Sequence, residues 1–303
     1  GKYTLIAKIA TGGMAEIHLA RAPDDIAHAH GTRLVVVKKI LDQLCGDPQF
    51  ITMFLDEARI ASQMNHPNIV QIFDLGQVKD DHWAGRSSYY IAMEYLPGEA
   101  LSAIAREGAV KKDFISAEYA ARVLIEVLKG LAYAHTTKDR EGRPLALVHR
   151  DVAPKNIIVT YEGDVKLVDF GIAKAASKSN RTQVGVVKGT YQYMSPEQVR
   201  GEEIDARSDI FSCGVVLYEL CTGTRLFKHE DPVESMRAIC VKPITPPRQL
   251  HPPLQPSLEA IIMRALERDL RRRYQNAEEL RVDLDAYLDE VGVPVQRDEM
   301  SAY

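Results

Sequence analysis

"HRDVAPKN", residues 149–156, is the stretch on which the reading of this chain turns. It carries an imidazole (His149), a carboxylate (Asp151), a carboxamide five positions beyond that carboxylate (Asn156) and two cations, Arg150 and Lys155. What these groups do depends on what stands before and after them.

Immediately upstream, "SAEYAARVLIEVLKGLAYAH" repeats apolar residues at 120, 123, 124, 127, 128, 131 and 134. That spacing predicts an amphipathic helix, with Ser116 as its N-cap. Between it and the loop lies "TTKDREGRPLAL", whose centre is turn chemistry and predicts a small hairpin. Downstream, "VKLV" is an apolar strand ending in Asp169, and "RSDIFSCGVVLYELCTG" is apolar almost all round, a buried central helix closing on Gly223. Residues 243–256 carry six prolines but are no linker, because residues 257–288 supply two more amphipathic helices that need a core. The last residues, "VGVPVQRDEMSAY", read as a loose tail.

Further upstream the composition changes. Residues 3–40 read as strands, among them "LVVVKKI". From Pro48 to Met64, residues Met53, Phe54, Glu57, Ile60, Ala61 and Met64 recur at helical spacing. "NIVQIFDLGQV" and "YYIAMEY" return to strand composition, and "LPGEAL" breaks the pattern at Pro97 and Gly98. The expected architecture is α+β and bilobal: a strand-rich lobe with one main helix (1–95), a mainly helical lobe (96–290) and a tail (291–303), with a ligand cleft between the lobes.

Hydrophobic residues make up 46% of the 303, enough for a sizeable core. Lys plus Arg number 38 against 42 Asp plus Glu, a net charge of −4 that offers no basic face for nucleic acid. No apolar run approaches the roughly 18 residues of a membrane span. The chain opens on Gly-Lys-Tyr, which reads as a processed or excised piece. The cysteines at 45, 213, 221 and 240 form no Cys-x-x-Cys pair and read as small hydrophobes of a reducing compartment, so a cytoplasmic location is expected.

Taken together, "HRDVAPKN", "DFG" at 169–171, "VVVK" at 35–38 and "GTYQYMSPEQ" at 189–198 stand in the order and separation of one family. The chain resembles a bacterial eukaryotic-type (Hanks-type) Ser/Thr protein kinase over residues 3–290, and "AHTTKDREGRPLALVHRDVAPKN" is most similar to the myxobacterial members. The resemblance implies the protein-kinase fold, ATP with Mg²⁺ (or Mn²⁺) as cofactors, and protein substrates.

It also implies roles, residue by residue. Asp151 would orient the acceptor hydroxyl and take its proton; Asn156 and Asp169 would hold the metal. Lys38 would anchor the α- and β-phosphates, held by Glu57. Lys39 and Asp56 are the neighbouring alternatives, but strand alternation allows one lysine on each face and Asp56 lies about 100° further round its helix. Val36 would lie over the adenine, Met93 would be gatekeeper, and the backbone of Glu94 and Leu96 would meet the adenine edge. The Gly-rich loop departs from its template: "ATGGMAEI" has Ala10, Gly12, Ala15 and Ile17 at the signature positions. Gly12 and Gly13 are expected to supply positive φ and close approach. Ile9, Thr11, Met14 and Ile158 complete the expected nucleotide contacts.

In the second half, Glu197 would pair with a buried Arg273, and Asp209 would hold the backbone of the catalytic loop. Arg150 wants an anion, which phosphorylation of the activation segment would supply, at Thr182 first and Ser177 or Ser179 as alternatives. The catalytic loop has its own anomaly. Where the Ser/Thr class places a lysine two residues after the Asp, this chain has Ala153, and Lys155 is the cation expected to act in its stead. Alternatives are a pseudokinase scaffold, a small-molecule phosphotransferase, or a tyrosine or dual-specificity kinase, whose loop cation stands four residues after the Asp. Self-association for trans-autophosphorylation is a further expectation.

Overall fold

The computed structural model describes residues 2–23, 33–79, 87–139, 141–170 and 191–292, without the side chains of Met53, Glu57, Lys79 and Ser87. The chain forms two compact units. The first holds the described residues of Gly1–His66 and Val70–Leu96. The second holds Pro67–Ile69, the described residues of Pro97–Phe170 and those of Gly189–Tyr303. The division falls after Leu96, beside the Pro97–Gly98 break. The tripeptide Pro67–Ile69 belongs to the second unit although its neighbours on both sides belong to the first.

In the first unit, β1 (Thr4–Thr11), β2 (Ala15–Arg21), β3 (Leu34–Ile40), β4 (Ile72–Lys79) and β5 (Ser87–Glu94) form an antiparallel sheet in the order β1-β2-β3-β5-β4. Register decides what each face carries. Lys38 pairs with Ile17 and Ile91, and Val36 with Leu19 and Met93. Directly paired residues share a face, so these six form one surface. Val35, Val37, Ala20 and Ala92 form a buried cluster on the other, where Lys39 reaches Asp42 at 3.0 Å. The Tyr90 ring lies across Gly76, where a Cβ would come within 2.3 Å of it, so a side chain at this position would displace the ring.

Helix α1 (Pro48–Ala61) starts with Pro48 at its first position and an Asp47 cap that accepts the amides of Gln49 and Phe50. It ends three residues before the expected Met64. Gln63 and Met64 donate three residues back, to Ile60 and Ala61, so the periodic pattern continues through tighter turns.

The second unit is built on α5 (Ala206–Thr222). All of Ser208–Cys221 is buried, and the helix ends on Gly223 at φ 65, the left-handed cap its sequence predicts. Around it lie α2 (Leu101–Lys111), α3 (Ala117–Thr136), α4 (Pro196–Arg200), α6 (Pro232–Val241), α7 (Pro256–Ala265) and α8 (Ala277–Val291). Ser116 caps α3 by accepting the Tyr119 amide at 3.1 Å. The proline-rich segment contains a helical turn, Pro247–Leu250, and Thr245 accepts the Tyr218 hydroxyl, so it is part of the packed unit. A small sheet is formed by β6 (Gly98–Ala100), β7 (Ile157–Thr160) and β8 (Val165–Leu167), of which β7 and β8 follow the loop at 149–156 in the chain. Asn68 joins this unit by donating to Glu126 and to the Val165 carbonyl, and its own carbonyl accepts the Leu167 amide.

Candidate active site

The loop at 149–156 is held by its backbone. Asp209, on the first turn of α5 and fully buried, accepts the amide of His149 on Oδ2 and that of Arg150 on Oδ1, both at 2.8 Å. Burial alone would raise the Asp209 carboxyl, but the hydrogen bond from His135 and the histidine and amide partners outweigh it and hold it below the usual carboxylate range. Arg150 has φ 66, and Asp169 has φ 58. A left-handed backbone strains a residue other than glycine and persists only where its surroundings enforce it.

His149 is fully buried. Its Nδ1 accepts the Asp151 amide at 3.3 Å, so Nε2 carries the hydrogen and donates it to the Val168 carbonyl at 3.3 Å. Burial holds its pKa below the ordinary imidazole value, against the pull of Asp209 and Asp151. The ring packs on Phe170 at 4.5 Å, so one side chain links the segment around Asp151 to the one around Asp169.

Asn156 donates Nδ2 to the Asp151 carbonyl at 2.8 Å and to Asp151 Oδ2 at 3.0 Å. Its Oδ1 has no donor among the described residues and is the atom that would meet a metal. Lys155 Nζ lies 3.4 Å from Asp151 Oδ2, with half of its side chain exposed. Ala153 has no exposed surface and belongs to the apolar core, so the loop has a methyl group where a cation would have to be buried. The donor set suits Mg²⁺ brought by a nucleotide: Asp169 and Asn156 offer two hard oxygens, and this ion takes few protein ligands beside phosphates and water. Among the described residues no cluster of three or more His, Cys, Asp or Glu forms a cage for an ion.

Behind the loop, Glu197 on α4 meets Arg273, with Nη1–Oε1 at 2.7 Å and Nη2–Oε2 at 3.3 Å, both side chains buried. Burial would raise the Glu197 carboxyl, but Arg273 and the Ser208 hydroxyl hold it below the usual range. Ser195 and Gln198 form a capping box on α4, and Gln198 also donates Nε2 to the Arg150 carbonyl at 3.0 Å. The guanidinium of Arg150 has no hydrogen-bond partner among the described residues.

In the first unit, Val36, Lys38, Ile17 and Met93 share one sheet face, and Lys39 the opposite one. Ile9, Ala10 and Thr11 are exposed on β1, with Met14 and the buried Ala15 across the turn. Gly12 differs from expectation. Its φ is not positive, its amide bonds the Ala15 carbonyl at 2.9 Å, and a Cβ would meet only that oxygen at 3.6 Å. The turn closes without a left-handed residue at this position. The Glu94 amide bonds the Gln71 carbonyl at 2.9 Å, so a contact from Glu94 to a base would use its carbonyl. Ile158 lies in β7 opposite Ala100 and Lys166. The Glu57 side chain, Thr182, Ser177, Ser179 and the tail beyond residue 292 lie outside the described residues.

Two residues escaped the sequence reading. Gln198 left a signal, the Ser-x-x-Gln of a capping box, but its bond to Arg150 spans 48 residues. His135 left none: it reads as one more residue at a helix end, and its partner Asp209 is 74 residues away.

Residues 3–283 match the family model described as the protein kinase domain. Among curated proteins, the chain is 44% identical over 291 residues to "Tyrosine-protein kinase MasK" of Myxococcus xanthus, covering 96% of this chain and 43% of that protein. It is 39% identical over 300 residues to "Probable serine/threonine-protein kinase SCO3848" of Streptomyces coelicolor, covering 97% and 41%. It is 38% identical over 287 residues to "Serine/threonine-protein kinase PknB" of Mycobacterium tuberculosis, covering 93% and 42%. The chain thus spans about two fifths of the length of the curated relatives it matches. The crystal structure of the Mycobacterium tuberculosis PknI kinase domain shares the fold, with TM-score 0.67 at 21% identity over 94% of this chain and 95% of that one. With nearly the whole chain matched by the family model and by relatives of this identity, it belongs to the protein kinase domain family.

Proposed function

We propose that this chain transfers the γ-phosphoryl group of ATP to serine and threonine hydroxyls of proteins. One observation carries the reading: Asp151 is held from behind by His149, bonded by Asn156 and faced by Lys155, while Asn156 Oδ1 meets no donor among the described residues. Little covalent chemistry is asked of a kinase; positioning and electrostatics do the work. Asp151 orients the acceptor hydroxyl and receives its proton. Lys155, beside that carboxylate, faces the charge that develops on the transferring group. Lys38 aligns the nucleotide phosphates from the sheet face it shares with Val36 and Met93, which would cover the adenine. A divalent ion, Mg²⁺ or Mn²⁺, neutralises phosphate charge when bound; Asp169 and Asn156 would hold it.

The Arg150 guanidinium, without a hydrogen-bond partner among the described residues, favours regulation by phosphate on the activation segment, Thr182 first and then Ser177 or Ser179, delivered in trans by a second copy. Among the described residues no helix is long and apolar enough to cross a membrane, and dependence on ATP favours a cytoplasmic site of action. A second reading is transfer to tyrosine. It is favoured by Lys155 standing four residues after Asp151, as in tyrosine kinases, and by the relative named a tyrosine-protein kinase. The test is incubation of the purified chain with Mg-ATP and a basic protein acceptor, beside Asp169→Ala. Labelled acceptor with the unaltered chain alone supports the reading; no label from either leaves the chain a scaffold.

A further inference from the structure

On the face of the first unit's sheet opposite Lys38, the described residues line a cavity of about 280 Å³. Tyr3 and Leu5 line it from the β1 edge and Val78 from the β4 edge, with Val37 and Tyr90 between them. Opposite edges reach one cavity because the sheet curls. The Tyr90 ring lies across Gly76, and the Tyr3 ring meets it edge-on at 5.7 Å. Both phenol hydroxyls donate to Asp74 Oδ2, at 3.2 and 3.4 Å, so the rings are what these two residues offer a ligand.

Lys39 and Ser88 also line the cavity. Lys39 pairs with Tyr90 between β3 and β5, and Ser88 lies two residues along β5 on the same face, opposite Val78. Ammonium and hydroxyl are therefore diagonal neighbours. Ser88 Oγ is buried and has no hydrogen-bond partner among the described residues, a costly state for a hydroxyl. Lys39 meets Asp42 at 3.0 Å, but the Asp42 side chain is 73% exposed, and such a pair is weak enough to exchange for another anion. Water fits this space poorly, because a buried water needs about two to four polar partners and the rest of the lining is apolar or already engaged. An apolar body with one anionic end fits better. A carboxylate brings two acceptor oxygens, one for each donor. A cavity of about 150 Å³ holds benzene, so this one takes roughly ten to twelve non-hydrogen atoms.

We propose that this cavity binds a small monocarboxylate with an apolar tail, its carboxylate on Lys39 and Ser88 and its tail against Tyr3, Val37 and Tyr90. The site uses none of the residues assigned to phosphoryl transfer and stands or falls apart from that reading. It is tested by titrating the isotope-labelled chain with decanoate and with 4-phenylbutyrate, each of the right size, and following the amide resonances. Saturable shifts are expected at Val37, Lys39, Val78, Ser88 and Tyr90, with Kd of about 0.1–1 mM for one acid or both. Lys39→Gln weakens binding of the acid about fivefold or more and leaves the uncharged 4-phenylbutanol within about twofold. Val78→Trp, at an exposed position of the lining, narrows the space and abolishes binding of all three. No saturable binding of either acid below about 5 mM overturns the proposal. So does acid binding that is unchanged in Lys39→Gln or that survives Val78→Trp. A chain that self-associates through these same amides and responds to neither acid assigns the cavity to a second copy, and that also overturns it.

Discussion

Replacing Arg273 by Met removes a cation that has 1% of its surface exposed and four hydrogen bonds. Two go to Glu197, at 2.7 and 3.3 Å, one to the Arg207 carbonyl and one to the Glu267 carbonyl, both at 2.8 Å, and the guanidinium sits 5.0 Å from the Phe211 ring. Methionine keeps much of the volume, so the loss is electrostatic. Glu197 is left buried, with the Ser208 hydroxyl at 2.7 Å as its remaining side-chain donor. Breaking one side of a buried pair costs about 3–5 kcal/mol. At about 2–4 °C per kcal/mol for a domain of this size, Tm falls by about 10 °C. The pH dependence has a definite sign. In the unaltered chain the Glu197 carboxyl is depressed, so its contribution is present above its unfolded pKa and is lost as pH falls through the folded value. In Arg273→Met the carboxyl is buried and unpaired, so the deficit is full near pH 7 and shrinks on acidification. Urea and thermal unfolding followed by circular dichroism at pH 7 and pH 4.5 read both effects. Glu197→Met in the same background recovers at least half of the loss, because an apolar pair replaces an orphaned charge. A deficit under about 1 kcal/mol at pH 7, or one that grows on acidification, would mean that Glu197 is not left as a buried, uncompensated charge.

Three further outcomes are expected. Lys155→Ala lowers kcat about ten- to a hundredfold with KM for ATP little changed, because the charge it supplies matters most in the transition state; full turnover would make Lys155 a surface lysine. Gly214→Ala places a Cβ 2.9 Å from the Ala265 Cβ and 3.2 Å from Leu266 where α5 meets α7, and costs about 1–3 kcal/mol in urea unfolding. Burial pushes the Cys221 thiol up to about 12 and the Cys213 thiol well above its ordinary value, so maleimide labelling of the native chain at pH 8 is confined to the half-exposed Cys45 and Cys240; label on Cys213 or Cys221 before unfolding contradicts this.

What the sequence made legible was local or periodic. The loop at 149–156 and Asp169 announce themselves by spacing, strand alternation separates Lys38 from Lys39, and the apolar run through α5 ends on the glycine its cap requires. Pairings across the fold were legible only through family resemblance, as with Glu197 and Arg273. Contacts that no motif encodes were not legible at all: His135 on Asp209, Gln198 on the Arg150 carbonyl, and Asn68 drawn into the second unit by a strand 97 residues away. The end of α1 and the backbone at Gly12 misled for a common reason: hydrogen bonding fixes backbone conformation, and residue type sets only a preference. The absence of a lysine at 153 became intelligible once that position proved to have no exposed surface.

Phosphoryl transfer by this chain is tested by the identity of the acceptor and its dependence on Asp151. The chain and Asp151→Asn are given Mg-ATP and a basic protein acceptor, nucleotide affinity is measured for both, and the phosphorylated residues are mapped by mass spectrometry. Phosphoserine and phosphothreonine are expected from the unaltered chain, and a loss of transfer of about a thousandfold or more in Asp151→Asn with ATP affinity retained. Transfer undiminished in Asp151→Asn, or phosphotyrosine alone, would contradict this expectation.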